Sequence, residues 1–296
     1  MDWEKLKTFY TVSKVGSFSL AAEEMNLNQS SVSRKILSLE DQLETKLFIR
    51  HVKGLKLTRQ GEILFQTAQN MLQEAENAET LIRNEKKAPE GVLKVSVISG
   101  FASHYFAPLI PEFCQHYPKL HISIKIIDFI SDFILTDVDC LIYPKLLPSD
   151  TLIQEKLMTV HMRLFASQKY LEEYGTPKKI KDLDYHKLIA YGIHKNHPFP
   201  SSNWHLILGK KKGEVRESYL DVNTTTERFY FASRGMGIVS LPMEHPELKN
   251  SDLVPVLPDV HGPHIDSYLI YKKSSADIKK IILLKEYLIK AFKFAK

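Results

Sequence analysis

The chain is poor in cysteine, has no long apolar run and carries little excess charge, and each shortage closes off a class of protein. Its two cysteines among 296 residues, Cys114 and Cys140, form neither a C-x-x-C pair nor a metal-ligand spacing. A disulfide framework is therefore excluded, and both are expected to be buried thiols in a reducing compartment. No apolar stretch approaches a membrane helix, and the charged, amphipathic N-terminus lacks the apolar region of a signal peptide. A cytoplasmic protein with no membrane partner is the expectation. The net charge of +5 is too small to argue for nucleic acid by itself. There is no P-loop and no nucleophile–base arrangement. His194, His197 and His205 lie in and beside a Pro-containing loop without metal spacing on a defined element. No catalytic residue, metal or cofactor is expected.

What is present is uneven. With 44% apolar residues there is room for two or three domains around a large core. Residues 1–60 hold ten Lys or Arg against seven Asp or Glu, and residues 61–90 three against six. That distribution suits phosphate attraction at one end only. Within the basic end, residues 17–36 read SFSLAAEEMNLNQSSVSRKI. Leu20, Ala21 and Met25 fall at helical spacing, and the small Ala21 and Ala22 let a second helix come close. A turn follows at Asn26-Leu27-Asn28, with Leu27 as its apolar plug. Asn28 is an N-cap residue type. Val32, Ile36, Leu39 and Leu43, spaced 4, 3 and 4, predict a buried stripe on a second helix. Gln29, Ser30, Ser33 and Arg34 face away from it. Arg reads guanine O6 and N7 with two hydrogen bonds, and Gln reads adenine N6 and N7. Ser suits phosphates or base edges, and a helix N-terminus favours phosphate. The alternative for this pattern alone is a small bundle with a solvated polar face. Upstream, Leu6, Phe9, Tyr10 and Ser13 are spaced as a packing helix. Downstream, residues 46–61, KLFIRHVKGLKLTRQG, alternate about a turn at Lys53-Gly54 and carry Arg50, Lys53, Lys56 and Arg59. They form a wing suited to the backbone or minor groove.

Together these pieces closely resemble the winged helix-turn-helix of LysR-type transcriptional regulators. The shared pattern is Ala21-Ala22, Q-x-x-V-S-R-x-I at 29–36, L-E at Leu39-Glu40, L-F-x-R at 47–50 and L-T-x-x-G at 57–61, with matching spacings between them. The resemblance implies double-stranded DNA as a partner. It places DNA contacts at Gln29, Ser30, Ser31, Ser33, Arg34 and Lys35 on the recognition helix, and at Arg50, Lys53 and Thr58 in the wing. It also implies an α/β chain overall. A winged helix-turn-helix domain would span 1–60, a linker and dimerisation helix 61–87, a hinge 88–91, and a two-lobed effector domain like a periplasmic binding protein 92–296.

From Arg59 to about Lys87 the chain is dense in helix formers, with Gly61 its only glycine and no proline. Leu64, Ala68, Met71, Ala75, Ala78 and Ile82, spaced 4, 3, 4, 3 and 4, make a heptad seam. Packing onto its own domain is the alternative; the resemblance implies dimerisation, as a homodimer or homotetramer. Two-fold symmetry then sets two recognition helices about one DNA turn apart. Residues 86–91, KKAPEG, end the helix as a hinge.

Beyond it strands and helices alternate, which argues a doubly wound α/β sheet. Strands are predicted at 93–99, 121–127, 138–143, 162–167, 187–192, 218–222, 237–242 and 267–273. One helix carries Phe106, Leu109, Ile110 and Phe113, irregular because of Pro108 and Pro111. Another runs from Thr224 to Gly235, and a final one from Ala276 to Ala295 faces Ile278, Ile282, Leu288 and Phe292 inward. The resemblance implies that the last strand and helix return to the first lobe.

Ligands in such folds bind beyond strand C-termini, at helix N-termini. Two segments fit: residues 99–103, with Ser99, Gly100, Phe101 and Ser103, and residues 223–226, with Asn223, Thr224, Thr225 and Thr226. Tyr143 is a possible wall. Their hydroxyls and N–H groups suit a small organic acid, and the alternative for each is plain helix capping. Residues 128–139, DFISDFILTDVD, look shorter than the family's usual run. That points to an unusual pocket or a lost ligand.

The reading is a DNA-binding transcriptional regulator whose oligomer responds to a small-molecule effector, with RNA polymerase as a further possible partner. An architectural, ligand-independent DNA binder is the rival. An enzyme or transport-binding protein fused to a helix bundle is a third reading, supported by no motif.

Overall fold

The computed structural model describes residues 2–51, 54–83, 89–127, 138–192 and 200–294. The chain divides into two compact units, Met1–Lys87 and Ala88–Lys296.

The first unit is α1 (Trp3–Val15), α2 (Phe18–Glu24), α3 (Gln29–Gln42), the hairpin β1 (Phe48–His51) and β2 (Gly54–Leu57), and α4 (Arg59–Arg83). Each of the first three helices starts on a side-chain cap: Asp2, Ser17 and Asn28 accept from the N–H groups of Glu4, Leu20 and Ser31. Helix α2 ends in a Schellman turn. Asn26, at φ 53°, donates to Glu23, and Leu27 donates to Ala22 at 2.9 Å. This turn faces the Leu27 side chain outward, 37% exposed, so it is not the expected plug. Helix α3 ends the same way, with Glu44 at φ 50° and Thr45 donating to Glu40. The buried stripe accordingly stops at Leu39, and Leu43 is exposed.

The core joins Leu6, Phe9 and Val12 of α1, Ala21 and Ala22 of α2, Val32, Ile36 and Leu39 of α3, Leu47, and Ala68 of α4. Phe48 of β1 packs on Phe9 and Phe18. The L-E pair of the sequence has a structural job. The buried Glu40 carboxylate accepts from the N–H groups of Leu47, at 2.9 Å, and Phe48, and pairs with Lys46 Nζ at 2.7 Å. Helix α3 and the β1–β2 hairpin are thereby tied together. Gly61 admits the same junction from the other side. A Cβ there would lie 2.2 Å from the Leu47 carbonyl oxygen.

The second unit is β3 (Gly91–Ile98), α5 (Ser99–Phe101), a π turn and a 3-10 turn, α6 (Ile110–His116), β4 (Leu120–Ile127), β5 (Cys140–Tyr143), β6 (Leu152–Ser167), α7 (Gln168–Tyr174), β7 (Leu188–Tyr191), α8 (Trp204–Ile207), β8 (Leu220–Val222), α9 (Thr225–Ser233), β9 (Ile238–Pro242), β10 (Leu253–Val256), β11 (His264–Lys272) and α10 (Lys279–Phe294). Among the described residues these strands form one mixed sheet in the order β4-β3-β5-β11-β6-β9-β7-β8, with β10 also on β6. The outer groups β4/β3/β5 and β9/β7/β8 are parallel. The long strands β6 and β11 run antiparallel between them, so two lobes share a crossing pair.

β6 begins ten residues before the strand expected at 162. Its first half mixes apolar and polar residues, and three of the polar ones find partners on distant β11: Lys156 and Thr159 on Asp266, Glu155 on Tyr271. Strand β10 and helix α7 were not anticipated. Helix α10 returns to the first lobe, as Lys280 bonds the Val92 carbonyl and Asp139, and Tyr287 reaches Leu109 and Glu112. Its inward face is Ile278, Ile281, Leu284, Leu288 and Phe292, not the face through Ile282, which is half-buried. Cys140 is buried, but Cys114 is only partly so. The shortened run at 128–139 lies outside the described residues except for Val138 and Asp139.

Replacing Glu40 with Ala leaves the Leu47 N–H buried without its acceptor. Urea unfolding of the full chain should show the first unit losing about 1–3 kcal/mol. Gln at this position keeps one acceptor and should recover part of that loss; equal stability of Ala and wild type would disprove the tie.

Candidate functional site

Two surfaces carry the residues singled out in the sequence. On α3 the inward positions are Val32, Ile36, Leu39 and Glu40, which turns Gln29, Ser30 and Arg34 into solvent and leaves Ser31, Ser33 and Lys35 half-buried. Among the described residues Arg34 donates only to the Ser30 carbonyl, at 3.3 Å. Lys35 is engaged with Glu4 at 3.4 Å, and the Ser30 hydroxyl with the Asn28 cap. Thr58 differs from the rest. Its hydroxyl donates to the Lys46 carbonyl and accepts from the Gly61 N–H, so it caps α4 and closes the wing. Arg50 sits on β1 opposite Leu55; Lys53 lies outside the described residues.

The α4 seam divides in two. Ala68 is fully buried in its own unit's core, with Leu64 and Phe65 packed beside it, and Phe65 stacks on Tyr10 at 5.4 Å. Further along, Ala75 is half-buried, while Met71, Ala78 and Ile82 are exposed, Ile82 by 80%.

In the second unit a cavity of about 60 Å³ opens between the lobes. Ile98, Gly100, Phe101 and Tyr105 come from the first lobe. Val160, Met162, Ile265 and Ser267 come from the crossing strands, and Tyr191, Ser202, Thr225, Arg228 and Pro242 from the second lobe. Three of the sequence candidates therefore meet here: Gly100, Phe101 and Thr225. A Cβ on Gly100 would sit 3.1 Å from the Thr225 hydroxyl. The others fall elsewhere. Ser103 is exposed, Tyr143 is buried in the first lobe away from the cavity lining, and Thr224 caps α9 through the Glu227 N–H. Ser99 and Asn223 flank the cavity in sequence but do not line it.

Sequence reading missed the strongest polar group in the cavity. Arg228 is only 3% exposed. Its guanidinium donates to the Ser240 carbonyl (3.1 Å), the Thr225 hydroxyl (3.2 Å) and the Thr224 carbonyl (3.3 Å), and lies 4.7 Å from the centre of the Tyr191 ring. Burial lowers its pKa to about 10, which still leaves it charged at neutral pH. The signal was present: Thr225, Arg228 and Ala232 are the buried face of α9, a stripe legible at helical spacing.

The lobes also meet through imidazoles that the sequence reading did not pair. His104 hydrogen-bonds the Thr226 hydroxyl at 3.2 Å and lies 3.4 Å from the Glu247 carboxylate. Its ring is 4.0 Å from that of His245, and His245 stacks on Phe229. Burial, with help from His104 and Arg228, lowers the His245 pKa to about 3. His205, fully buried and bonded to the Ile189 carbonyl, is lowered to about 3 by burial and two neighbouring arginines. His194 and His197 lie outside the described residues.

Comparison with known proteins agrees with both units. The family model "Bacterial regulatory helix-turn-helix protein, lysR family" matches residues 3–62, and "LysR substrate binding domain" matches residues 86–293. The HTH-type transcriptional regulator YhjC of Escherichia coli is 27% identical over 96% of this chain and 95% of its own length. LtrA of Klebsiella pneumoniae is 30% identical over 86% and 82%. The structure of CrgA, a LysR-type transcriptional regulator from Neisseria meningitidis, superposes with TM-score 0.60 at 26% identity, covering 98% of this chain and 99% of that one. No helix among the described residues is long and apolar enough to cross a membrane.

His205 and His245 must become charged when the second unit unfolds in acid, because their folded pKa values lie below the ordinary 6.5. The unfolded chain then binds more protons, so stability holds above about pH 6.5 and falls as pH drops from there toward 3. Urea melts of the full chain between pH 8 and 5 should show that decline, and replacing both His205 and His245 with Gln should flatten it. An unchanged slope would assign the acid sensitivity to other groups.

Proposed function

The chain belongs to the LysR family of transcriptional regulators, which bind DNA, form oligomers and respond to small-molecule effectors, and on that premise we propose how its own residues divide the work. Residues 1–60 bind duplex DNA, 61–87 link and dimerise, 88–91 form the hinge, and 92–296 take up an effector. Helix α3 enters the major groove. The observation that carries this is its two-sidedness: Val32, Ile36 and Leu39 are consumed by the core, while Gln29, Ser30 and Arg34 stand in solvent. Arg34 and Gln29 read base edges. Ser30, Ser31, Ser33 and Lys35, with Arg50 and Lys53 of the wing, position the protein on phosphates. Thr58 serves chiefly as the cap of α4.

Dimerisation uses the distal half of the α4 seam, Met71, Ala75, Ala78 and Ile82, since Leu64 and Ala68 are already occupied by their own unit. A homodimer places two α3 helices on half-sites one turn apart, and pairing of dimers gives a homotetramer. The effector is a small organic acid held in the cavity between residues 99–103 and Thr225. Its binding changes the arrangement of protomers, and hence DNA bending or contact with RNA polymerase. The protein acts by binding rather than by catalysis, in the cytoplasm.

Arg34→Ala should weaken specific binding by about 1–3 kcal/mol and flatten the preference at one base pair of each half-site. Selection of bound sequences from a random duplex pool reads both quantities, and an unchanged preference would mean that α3 presents another face. Ala75→Glu puts a charge at the centre of the seam, where it would be buried without a partner. Sedimentation should show a smaller species, and half-site spacing should cease to matter. An intact oligomer would assign dimerisation to another surface.

A further inference from the structure

We infer that the cavity between the lobes selects small, singly charged carboxylates, with Arg228 as the counter-ion and the Tyr105 hydroxyl as the reader of a second polar atom; this rests on the cavity being the effector site. Arg228 is almost wholly buried, yet it makes no ion pair with any carboxylate among the described residues. Its partners are two carbonyls and one hydroxyl. A buried cation compensated only by neutral groups is costly, and proteins normally pair it. The Tyr191 ring offsets part of the cost. The guanidinium also carries more N–H donors than those three oxygens use, and it lines the cavity. A ligand carboxylate arriving there gains charge-assisted hydrogen bonds and neutralises the charge.

Tyr105 is the second, independent observation. Its hydroxyl oxygen is buried, has no hydrogen-bond partner among the described residues, and belongs to a side chain lining the same cavity. Burial pushes its pKa up, so it stays protonated and needs an acceptor. Buried polar groups are nearly always satisfied; a ligand oxygen would satisfy this one.

The remaining walls set the class. Phe101, Met162 and Ile265 are apolar, and among the described lining residues Arg228 is the one cation. A dianion such as a phosphate ester would leave a charge unmatched in a dry site. A compact apolar body with one carboxylate and one further acceptor fits both free groups.

The test is calorimetry on the full chain with three probes: 3-methylbutanoate, its uncharged amide 3-methylbutanamide, and 3-methyl-2-oxobutanoate, which adds a carbonyl acceptor. The acid should bind saturably and the amide not. Arg228→Met should weaken the acid by about tenfold or more, with Arg228→Lys between the two. Tyr105→Phe should weaken only the oxo acid. The wild-type comparison of acid with amide stands even if an Arg228 variant fails to fold. Gly100→Val, which fills the approach to Thr225, identifies the place of binding. If acid and amide bind equally and Gly100→Val abolishes both, the cavity is the effector site but the counter-ion assignment is overturned. If the acid binds and Gly100→Val leaves it untouched, the cavity reading falls and this inference with it. Failure of both acids to bind the folded protein overturns the ligand class.

Discussion

The second unit depends on one antiparallel pair. Strands β6 and β11 are the elements both lobes share, and their register fixes where the lobes stand. Lys156 and Thr159 converge on Asp266, and Tyr271 on Glu155, so the pair is held by side chains more than a hundred positions apart as well as by its ladder. The register shifts between Ser267 and Tyr268, and Ser267 lines the cavity with Val160, Met162 and Ile265. The floor of the cleft is thus made by the same strands that hinge it.

The first unit was largely legible in the sequence because its determinants are local. The Asn28 cap, the small residues Ala21 and Ala22, and the stripe of Val32, Ile36 and Leu39 all act within a few residues, and local patterns expose such rules. What was not legible was which motif residues stand in solvent and which hold the fold. Glu40 and Thr58 are polar, belong to the same motif, and are spent on backbone N–H and carbonyl groups. Leu43 obeys helical spacing and Leu27 fits an apolar plug, but both lie at Schellman turns, where the chain leaves the helix axis. Spacing alone does not report that departure.

The cleft was legible only in outline. Gly100, Phe101 and Thr225 follow from the rule that α/β folds bind ligands beyond strand C-termini. Arg228 does not follow from that rule. It looks like an ordinary charged residue on a helix, and its meaning comes from the Ser240 carbonyl and the Tyr191 ring, which approach it from other strands. His104 and Thr226 meet across 122 positions, and no local pattern joins them. Periodicity shows that Arg228 falls on the buried face of α9, but not what a polar group with partners remote in sequence does there, and such groups gather at the junction of the lobes.

That junction bears on how an effector would act. A ligand moves a two-state equilibrium only by binding the two states unequally. Two contacts here depend on the lobes being together: the approach of Gly100 to Thr225 and the bond from His104 to Thr226. Both lie on the same turn of α9 as Arg228, which is bonded directly to the Thr225 hydroxyl. An anion on the guanidinium would therefore lie one hydrogen bond from the group that the first lobe also approaches. If the lobes close over a ligand, an unneutralised buried charge opposes that closure, because a cation prefers water. With the charge neutralised, that opposition is removed and the closed arrangement is favoured. Within this reading the differential affinity resides in one side chain, and the anion needs no other contact across the cleft to bias the lobes.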